Sequence, residues 1–175
     1  MAININSDLI KKRLEKDPQD SELWFELAYQ FFQEEQHKLA IDAYKKGLVI
    51  KSDNPIHWHN LGFLYIEIED YNNAIITLSK ALELNPNLSI AWTELSTALL
   101  ENGDFQESIQ ACKKAIELNS RDEVAWTNQG SSYFNMGLYD NAIKSLNNAL
   151  DIVPSLEFAK TLLKLTFKAK DQKSQ

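Results

Sequence analysis

The side chains of this sequence best suited to chemistry are one cysteine, Cys112, and three histidines, His37, His57 and His59. A thiolate can act as a nucleophile and an imidazole can transfer protons or bind a metal ion, but each needs a partner group within reach. His57 and His59 are two residues apart on a predicted helix, where side chains point about 200° apart. They therefore cannot hold one metal ion together. Cys112 takes an apolar position of its helix, which favours a buried structural thiol over a nucleophile.

The remaining polar residues form no catalytic constellation. Carboxylates are plentiful but are spread over the outer faces of the predicted helices, where solvation explains them. The five glycines do not form a loop that could cradle a phosphate group. The sequence therefore predicts a protein that is not an enzyme and that uses no metal ion and no cofactor.

Composition and charge restrict the partners and the location. The net charge is −7, and an acidic surface repels a phosphate backbone, so no nucleic acid binding is expected. No run approaches the roughly 18–20 apolar residues that span a bilayer, and the start lacks a basic region followed by an apolar run. With a single cysteine, which suits a reducing compartment, these features predict a cytoplasmic protein without membrane insertion.

The spacing of the tryptophans indicates which secondary-structure elements would position a functional site. Trp24, Trp58, Trp92 and Trp126 are spaced 34 residues apart, and a fixed period of this length is typical of stacked copies of one supersecondary unit. Small residues recur in the same register, at Ala28, Gly62, Ser96 and Gly130. Spacings of three and four residues indicate amphipathic helices. Gly103 and Gly137 predict a tight turn between two helices within a unit, and Pro18, Pro55, Pro86 and Pro154 mark the unit boundaries except the one after Ser120.

These signals predict a chain of three parts. Residues 1–20 form an N-terminal tail and a single helix. Residues 21–156 form four helical hairpins, at 21–54, 55–88, 89–122 and 123–156. Residues 157–175 form a C-terminal capping helix, with Leu163 and Phe167 facing inward, and a basic tail.

The second hairpin carries the clearest family pattern. It reads Trp58-x-x-Leu61-Gly62-x-x-Tyr65, followed by Ala74, Ala81 and Pro86, and it resembles the tetratricopeptide repeat family, with partial versions in the other hairpins. This resemblance implies an all-α fold, a right-handed superhelical α-solenoid of stacked antiparallel helix hairpins. The tryptophans would then form an internal wall of each hairpin, packed against the partner helix.

The opposite stripe of each first helix would line a concave groove, according to the same resemblance. This stripe is unusually apolar, and a bare apolar groove usually marks an interaction site. The candidate groove residues are Phe25, Tyr29, Phe32, His59, Asn60, Phe63, Ile66, Thr93, Thr97, Thr127 and Ser131. Aromatic residues dominate the first two hairpins and hydroxyl residues the last two, which predicts apolar anchoring at one end and hydrogen bonding at the other. Phe32 and Ile66 could instead fill gaps between adjacent first helices.

The predicted function is a non-catalytic protein-protein interaction module that binds a peptide or helical segment of a partner in the groove. The alternative is a self-assembling scaffold, a homo-oligomer whose groove is filled by a terminal helix or by the Ile3/Ile5 tail. Some tetratricopeptide repeat proteins clamp the C-terminal carboxylate of heat-shock chaperones. Only Asn60 matches that pattern here, and Glu94 would repel the carboxylate, so a chaperone tail is not the expected partner.

Overall fold

The computed structural model describes residues 7–173, and all regular secondary structure in that range is α-helical. The chain divides into two compact units, with the boundary between Pro86 and Asn87. The first unit contains α1 (Ser7–Lys16), α2 (Ser21–Gln33), α3 (His37–Ile50), α4 (Pro55–Glu67) and α5 (Tyr71–Leu84). The second contains α6 (Ser89–Asn102), α7 (Phe105–Leu118), α8 (Glu123–Asn135), α9 (Tyr139–Ile152) and α10 (Glu157–Lys173). The predicted Ile3/Ile5 tail lies outside the described residues.

Helix hairpins are the building block of both units. In the first unit α2 packs against α3 and α4 against α5, while α1 packs on α2. In the second unit α6 packs against α7 and α8 against α9, and α10 covers α9. This arrangement confirms the predicted all-α fold of helix hairpins.

Side-chain caps explain where several first helices begin. Asp20 accepts a hydrogen bond from the backbone N–H of Leu23 at 3.1 Å, and Asp122 accepts one from Ala125 at 2.8 Å. Each carboxylate satisfies an N–H group that has no partner within the helix. Asn54 caps α4 in a similar way, and Pro55 follows it at the first helical position, where its missing N–H costs nothing.

The turn inside each hairpin uses one left-handed residue at an equivalent position. The φ angles are 58° at Glu35, 60° at Glu69, 89° at Gly103 and 71° at Gly137. Gly103 and Gly137 are thus confirmed as chain-reversal residues. The first two hairpins adopt the same conformation with glutamate, whose Cβ is crowded in this region of backbone space.

The two helices of a hairpin approach closely at the recurring small residue. A Cβ atom placed on Gly62 would lie 2.6 Å from Cγ of Leu78, and one on Gly130 would lie 2.7 Å from Cγ of Leu146. Ala28 and Ser96 take the same position in the other two hairpins and are fully buried. The small-residue positions therefore lie on the face that meets the partner helix, as predicted.

The tryptophans are less buried than the sequence predicted. All four are half-buried. The indole N–H groups of Trp24, Trp58 and Trp126 each donate a hydrogen bond to the carbonyl oxygen of the residue six positions earlier, at 2.9, 2.9 and 3.1 Å. These bonds hold the rings near the start of the first helix, where solvent reaches one side. Trp24, Trp58 and Trp126 therefore fasten the preceding loop as well as packing on their hairpin.

Phe25 is inside the first unit, although the sequence placed it in the groove. Its side chain is only 5% exposed. A Cβ on Gly47 of α3 would lie 2.5 Å from the Phe25 ring, so the ring occupies the space that glycine leaves open. On its other side the ring stacks on His57 of α4, with 3.5 Å between ring centroids. Phe25 thus joins α2, α3 and α4 as a packing residue.

The imidazole of His57 lies in a poorly solvated setting. Its Nδ1 atom is buried and has no hydrogen-bond partner within residues 7–173. Burial lowers the pKa of His57 below its ordinary value of 6.5. Lys51 acts in the same direction, whereas the carboxylates of Glu22 and Asp53 oppose it. The neutral form is therefore favoured in the folded protein.

The capping helix α10 packs through a different stripe from the predicted one. Ala159, Leu162 and Thr166 are buried, and Leu163 is half-buried against the cluster around Leu146. Phe167, predicted to face inward, is about half exposed. The buried stripe at i, i+3 and i+7 turns Phe167 toward solvent, so the prediction for that residue was wrong.

We expect substitution of a left-handed turn residue to lower stability at a glycine but not at a glutamate. Gly103→Ala should lower the free energy of unfolding by about 1 kcal/mol, because a Cβ is disfavoured at positive φ. No atom lies within 4 Å of that Cβ, so the cost comes from the backbone alone. Glu69→Gly should cause no loss, since the strain that it relieves offsets the added freedom of the unfolded chain. Urea unfolding would measure the free energy of unfolding of both variants. Equal losses would contradict the assignment of backbone strain to the left-handed glutamate.

We also expect His57 to make stability depend on pH. Because its pKa is lowered in the folded state, the unfolded chain binds the proton more readily. The contribution of the neutral His57 to the free energy of unfolding is complete above about pH 6.5. It decreases as the pH falls through the range between the unfolded and folded pKa values. His57→Phe and His57→Leu should both reduce the difference in unfolding free energy between pH 7 and pH 5. Only His57→Leu should also lower stability at pH 7, because it removes the stacked ring. An unchanged pH difference in both variants would rule out this role.

Candidate functional site

A pocket of about 100 Å³ opens in the first unit between α2, α3 and α4. It is lined by Tyr29, Phe32, Tyr44, Asn60, Phe63 and Leu64. Four of these residues, Tyr29, Phe32, Asn60 and Phe63, belong to the groove set that the sequence predicted. The structure therefore brings the aromatic part of that set together around one opening.

Three aromatic rings form the wall of this pocket. Phe32 and Phe63 are half-buried and meet edge to face, with 5.9 Å between centroids and 83° between ring planes. Phe32 also stacks on His37, with 6.1 Å between ring centroids, and this contact supports the position of the Phe32 ring. Tyr29 is 58% exposed. The pocket thus has two fixed rings and one accessible ring, a geometry that favours contact with another apolar or aromatic group.

The floor of the pocket is polar. The Asn60 amide donates a hydrogen bond to the buried Tyr44 hydroxyl at 3.1 Å, and Nδ1 of His59 lies 3.1 Å from Oδ1 of Asn60. Burial raises the pKa of the Tyr44 phenol above its ordinary value of 10.0, although the hydrogen bond from Asn60 opposes this shift. The phenol, already neutral at physiological pH with its ordinary pKa, thus retains its hydroxyl hydrogen.

The other candidate residues of the first unit lie outside this lining. Phe25 is buried against Gly47 and His57. His59 and Ile66 are half-buried, and His59 contacts the pocket residue Asn60. The structure therefore places these three side chains behind or beside the aromatic wall.

The candidate residues of the second unit use their hydroxyl groups within the protein. Thr93, Thr127 and Ser131 are buried, and Thr127 and Ser131 each donate to the carbonyl oxygen four residues earlier, at 2.6 and 3.0 Å. Thr93 donates to a carboxylate oxygen of Asp122 at 2.5 Å, and its hydroxyl oxygen also lies 3.3 Å from the carbonyl oxygen of Ser89. The sequence predicted that these hydroxyls would bind a partner, but two helical backbone carbonyls and the Asp122 carboxylate accept their hydrogens.

Thr97 belongs to a buried polar network of the second unit. It donates to its own helix at 3.2 Å and accepts from the Asn128 amide at 2.8 Å. The same amide donates to the hydroxyl of Ser96 at 3.0 Å, and Ser108 donates to the Ser96 carbonyl at 2.9 Å. Satisfied hydrogen bonds of this kind allow polar side chains to be buried without a large penalty.

Cys112 lies beside this network and is fully buried. Burial raises the pKa of its thiol to about 11, even though Ser96 and Ser108 interact favourably with the thiolate. The thiol is therefore protonated at neutral pH and is a poor nucleophile. This confirms Cys112 as a buried structural cysteine.

Two pocket residues, Tyr44 and Leu64, were absent from the predicted set. Tyr44 takes the position that Leu78, Cys112 and Leu146 occupy in the other hairpins. A phenol among apolar residues needs a hydrogen-bond partner when it is buried, and this signal could have identified it. Leu64 shares the apolar character of a core residue, so nothing in the sequence distinguishes it.

The described part of the chain shows no group of three or more histidine, cysteine or carboxylate side chains arranged to hold a metal ion. Within the same residues, none of the helices combines the length and apolar character required to cross a membrane.

Comparison with known proteins identifies the fold. The structure is similar to that of YrrB, described as a TPR protein with an unusual peptide-binding site, with a TM-score of 0.86, 24% identity and coverage of 90% of this chain and 81% of that chain. It is also similar to MamA, with a TM-score of 0.80, 26% identity and coverage of 83% and 85%. MamA from Desulfovibrio magneticus RS-1 gives a TM-score of 0.75 at 16% identity, with coverage of 87% and 92%.

No curated protein matches the sequence. A protein-family model described as "Cilia and flagella-associated protein 70 C-terminal domain" matches residues 2–174, nearly the whole chain. The chain therefore belongs to this family, whose members are tetratricopeptide repeat proteins.

Proposed function

We propose that this protein is a non-catalytic interaction module whose first unit holds a side chain of a partner protein in the aromatic pocket. The main support for the proposal is that Tyr29, Phe32 and Phe63 line one pocket in the first unit. The partner contributes an extended or helical segment with a large apolar anchor.

The exposure of the pocket supports this function. Tyr29 shows more than half of its surface to solvent beside two half-buried rings. Large aromatic side chains that remain accessible next to a preformed cavity are typical of the central part of a binding surface. At about 100 Å³ the pocket is smaller than the roughly 150 Å³ cavity that encloses benzene, but it is open on one side, so one large side chain can enter it in part.

The fold supports the class of function. YrrB, which shares the fold, is described as having a peptide-binding site. At 24% identity that likeness concerns the fold, and the site in the present chain is argued from its own aromatic residues. The first unit combines a rigid helical frame with an accessible pocket, which is a suitable arrangement for recognising a segment without large rearrangement.

We expect pocket variants to lose peptide binding selectively. Peptides would be selected by display against the wild-type protein, and their dissociation constants measured by calorimetry. Tyr29→Ala combined with Phe63→Ala should weaken binding at least about tenfold, because central aromatic anchors contribute most of the affinity. Tyr29 is exposed and adds little to stability, whereas Phe63 is half-buried, so the double variant should lose about 1–2 kcal/mol of unfolding free energy.

A matched control makes this experiment specific. Val49 and Ile76 are apolar residues of α3 and α5 that are 88% and 64% exposed and do not line the pocket. Val49→Ala combined with Ile76→Ala should leave peptide binding unchanged. Equal loss in both double variants, or in neither, would refute the pocket as the binding site. If light scattering instead shows a mass that rises with concentration only when the pocket is intact, the occupant is another copy of this chain.

A further inference from the structure

The floor of the pocket contains more hydrogen-bond donors than its own residues can use. The Asn60 amide carries two donor hydrogens and the Tyr44 phenol carries one. The bond between these side chains uses one hydrogen, and the contact with His59 uses at most one more. No other hydrogen bond from either side chain occurs among residues 7–173. At least one donor therefore remains, whichever way the amide is oriented.

The charge of the residues that line the pocket limits which hydrogen-bond acceptor a bound side chain can offer to this donor. None of the residues that line the pocket carries a formal charge: a phenol is neutral at physiological pH, and burial raises the pKa of Tyr44 further. A carboxylate would lose its hydration between aromatic walls without gaining a cation, which is costly. A purely apolar side chain would leave the buried donor without water and without an acceptor, which is also costly. A neutral oxygen at the tip of an apolar group avoids both costs.

We infer that the pocket recognises a tyrosine side chain of the partner segment, with the ring between Tyr29, Phe32 and Phe63 and the phenol oxygen accepting a hydrogen bond from the Tyr44–Asn60 pair. This inference rests on the proposed function and specifies its ligand. The walls supply edge and face contacts for an aromatic ring, and the floor supplies the donor. Tyr44 and Asn60 are then the residues that determine specificity, because they distinguish an oxygen-bearing ring from a bare one.

Small aromatic probes test the inference without a known partner. Para-cresol carries a phenol oxygen that can donate and accept, para-methylanisole carries an oxygen that can only accept, and toluene carries none. Each would be titrated into the isotope-labelled full chain, with the Leu64 methyl signals followed by NMR. We expect para-cresol and para-methylanisole to bind at least about threefold more tightly than toluene, the ratio that corresponds to one modest hydrogen bond.

Variants locate the source of this preference. Tyr44→Phe combined with Asn60→Leu removes all three donor hydrogens and should reduce the ratio to about one, while toluene still binds. Tyr65→Phe is the matched control. Tyr65 is a second buried phenol of the same unit, but it lines a different cleft with Trp58 and Leu61. This variant should keep the wild-type ratio, and circular dichroism would establish that each variant is folded.

The outcomes separate the inference from the proposed function. Equal affinities for the three probes in the wild-type protein would overturn the role of the hydrogen-bond donors. They would not contradict the aromatic pocket as a binding site. A preference that persists in the folded double variant would also overturn it. If no probe shifts the Leu64 signals, both the inference and the aromatic pocket as a binding site fail. A preference that is lost in the double variant and kept in Tyr65→Phe supports the inference.

Discussion

The close approach of two helices at a small residue is the constraint on which the rest of each hairpin depends. At Gly62 a single added carbon would come within 2.6 Å of Leu78, and Gly130 faces Leu146 in the same manner. Such contacts determine which face of the first helix is turned toward its partner. The remaining faces are then assigned by helical geometry, since each residue advances by about 100°. The half-buried tryptophans and the pocket residues follow from that assignment.

Substitutions within the repeat explain why the first unit differs locally from a regular array. Gly47 takes a position that is alanine in the other three hairpins, and the space that it leaves is occupied by the ring of Phe25. Tyr44 replaces an apolar residue and brings a hydroxyl group under the aromatic wall, where Asn60 meets it. In the second unit, Asn128 takes the position equivalent to Asn60 but donates to Ser96 and Thr97. The same backbone therefore supports a pocket floor in one unit and a closed polar network in the other.

These local differences give the two units different chemical characters. The first unit exposes aromatic surface and retains an unused donor in its pocket, so it has the features of a binding surface. In the second unit, the hydroxyl hydrogens of Thr127 and Ser131 are donated to backbone carbonyls and that of Thr93 to the Asp122 carboxylate, as buried polar groups require. Its polar residues therefore contribute to internal order. This contrast is why the proposed binding function is assigned to the first unit.

The sequence by itself determined the features that depend on periodicity. The 34-residue spacing of the tryptophans and the recurring small residues predicted helix hairpins and their contact faces, and the glycines at 103 and 137 predicted two of the turns. These succeed because a helix presents its residues at a constant angle and because few residues tolerate positive φ. The same reasoning placed Tyr29, Phe32, Asn60 and Phe63 in one set, and the structure brings them together around one pocket, while their role in binding stays a proposal.

Only the tertiary structure decided how deeply each side chain is buried and which polar atoms are already paired. The burial of Phe25 depends on Gly47, which lies 22 positions away in the sequence. The exposure of Phe167 depends on which stripe of α10 meets the cluster around Leu146. The donor at the pocket floor arises because Tyr44 and Asn60 come from different helices. Helical periodicity specifies the direction of a side chain, whereas burial and hydrogen bonding depend on atoms that distant parts of the chain supply.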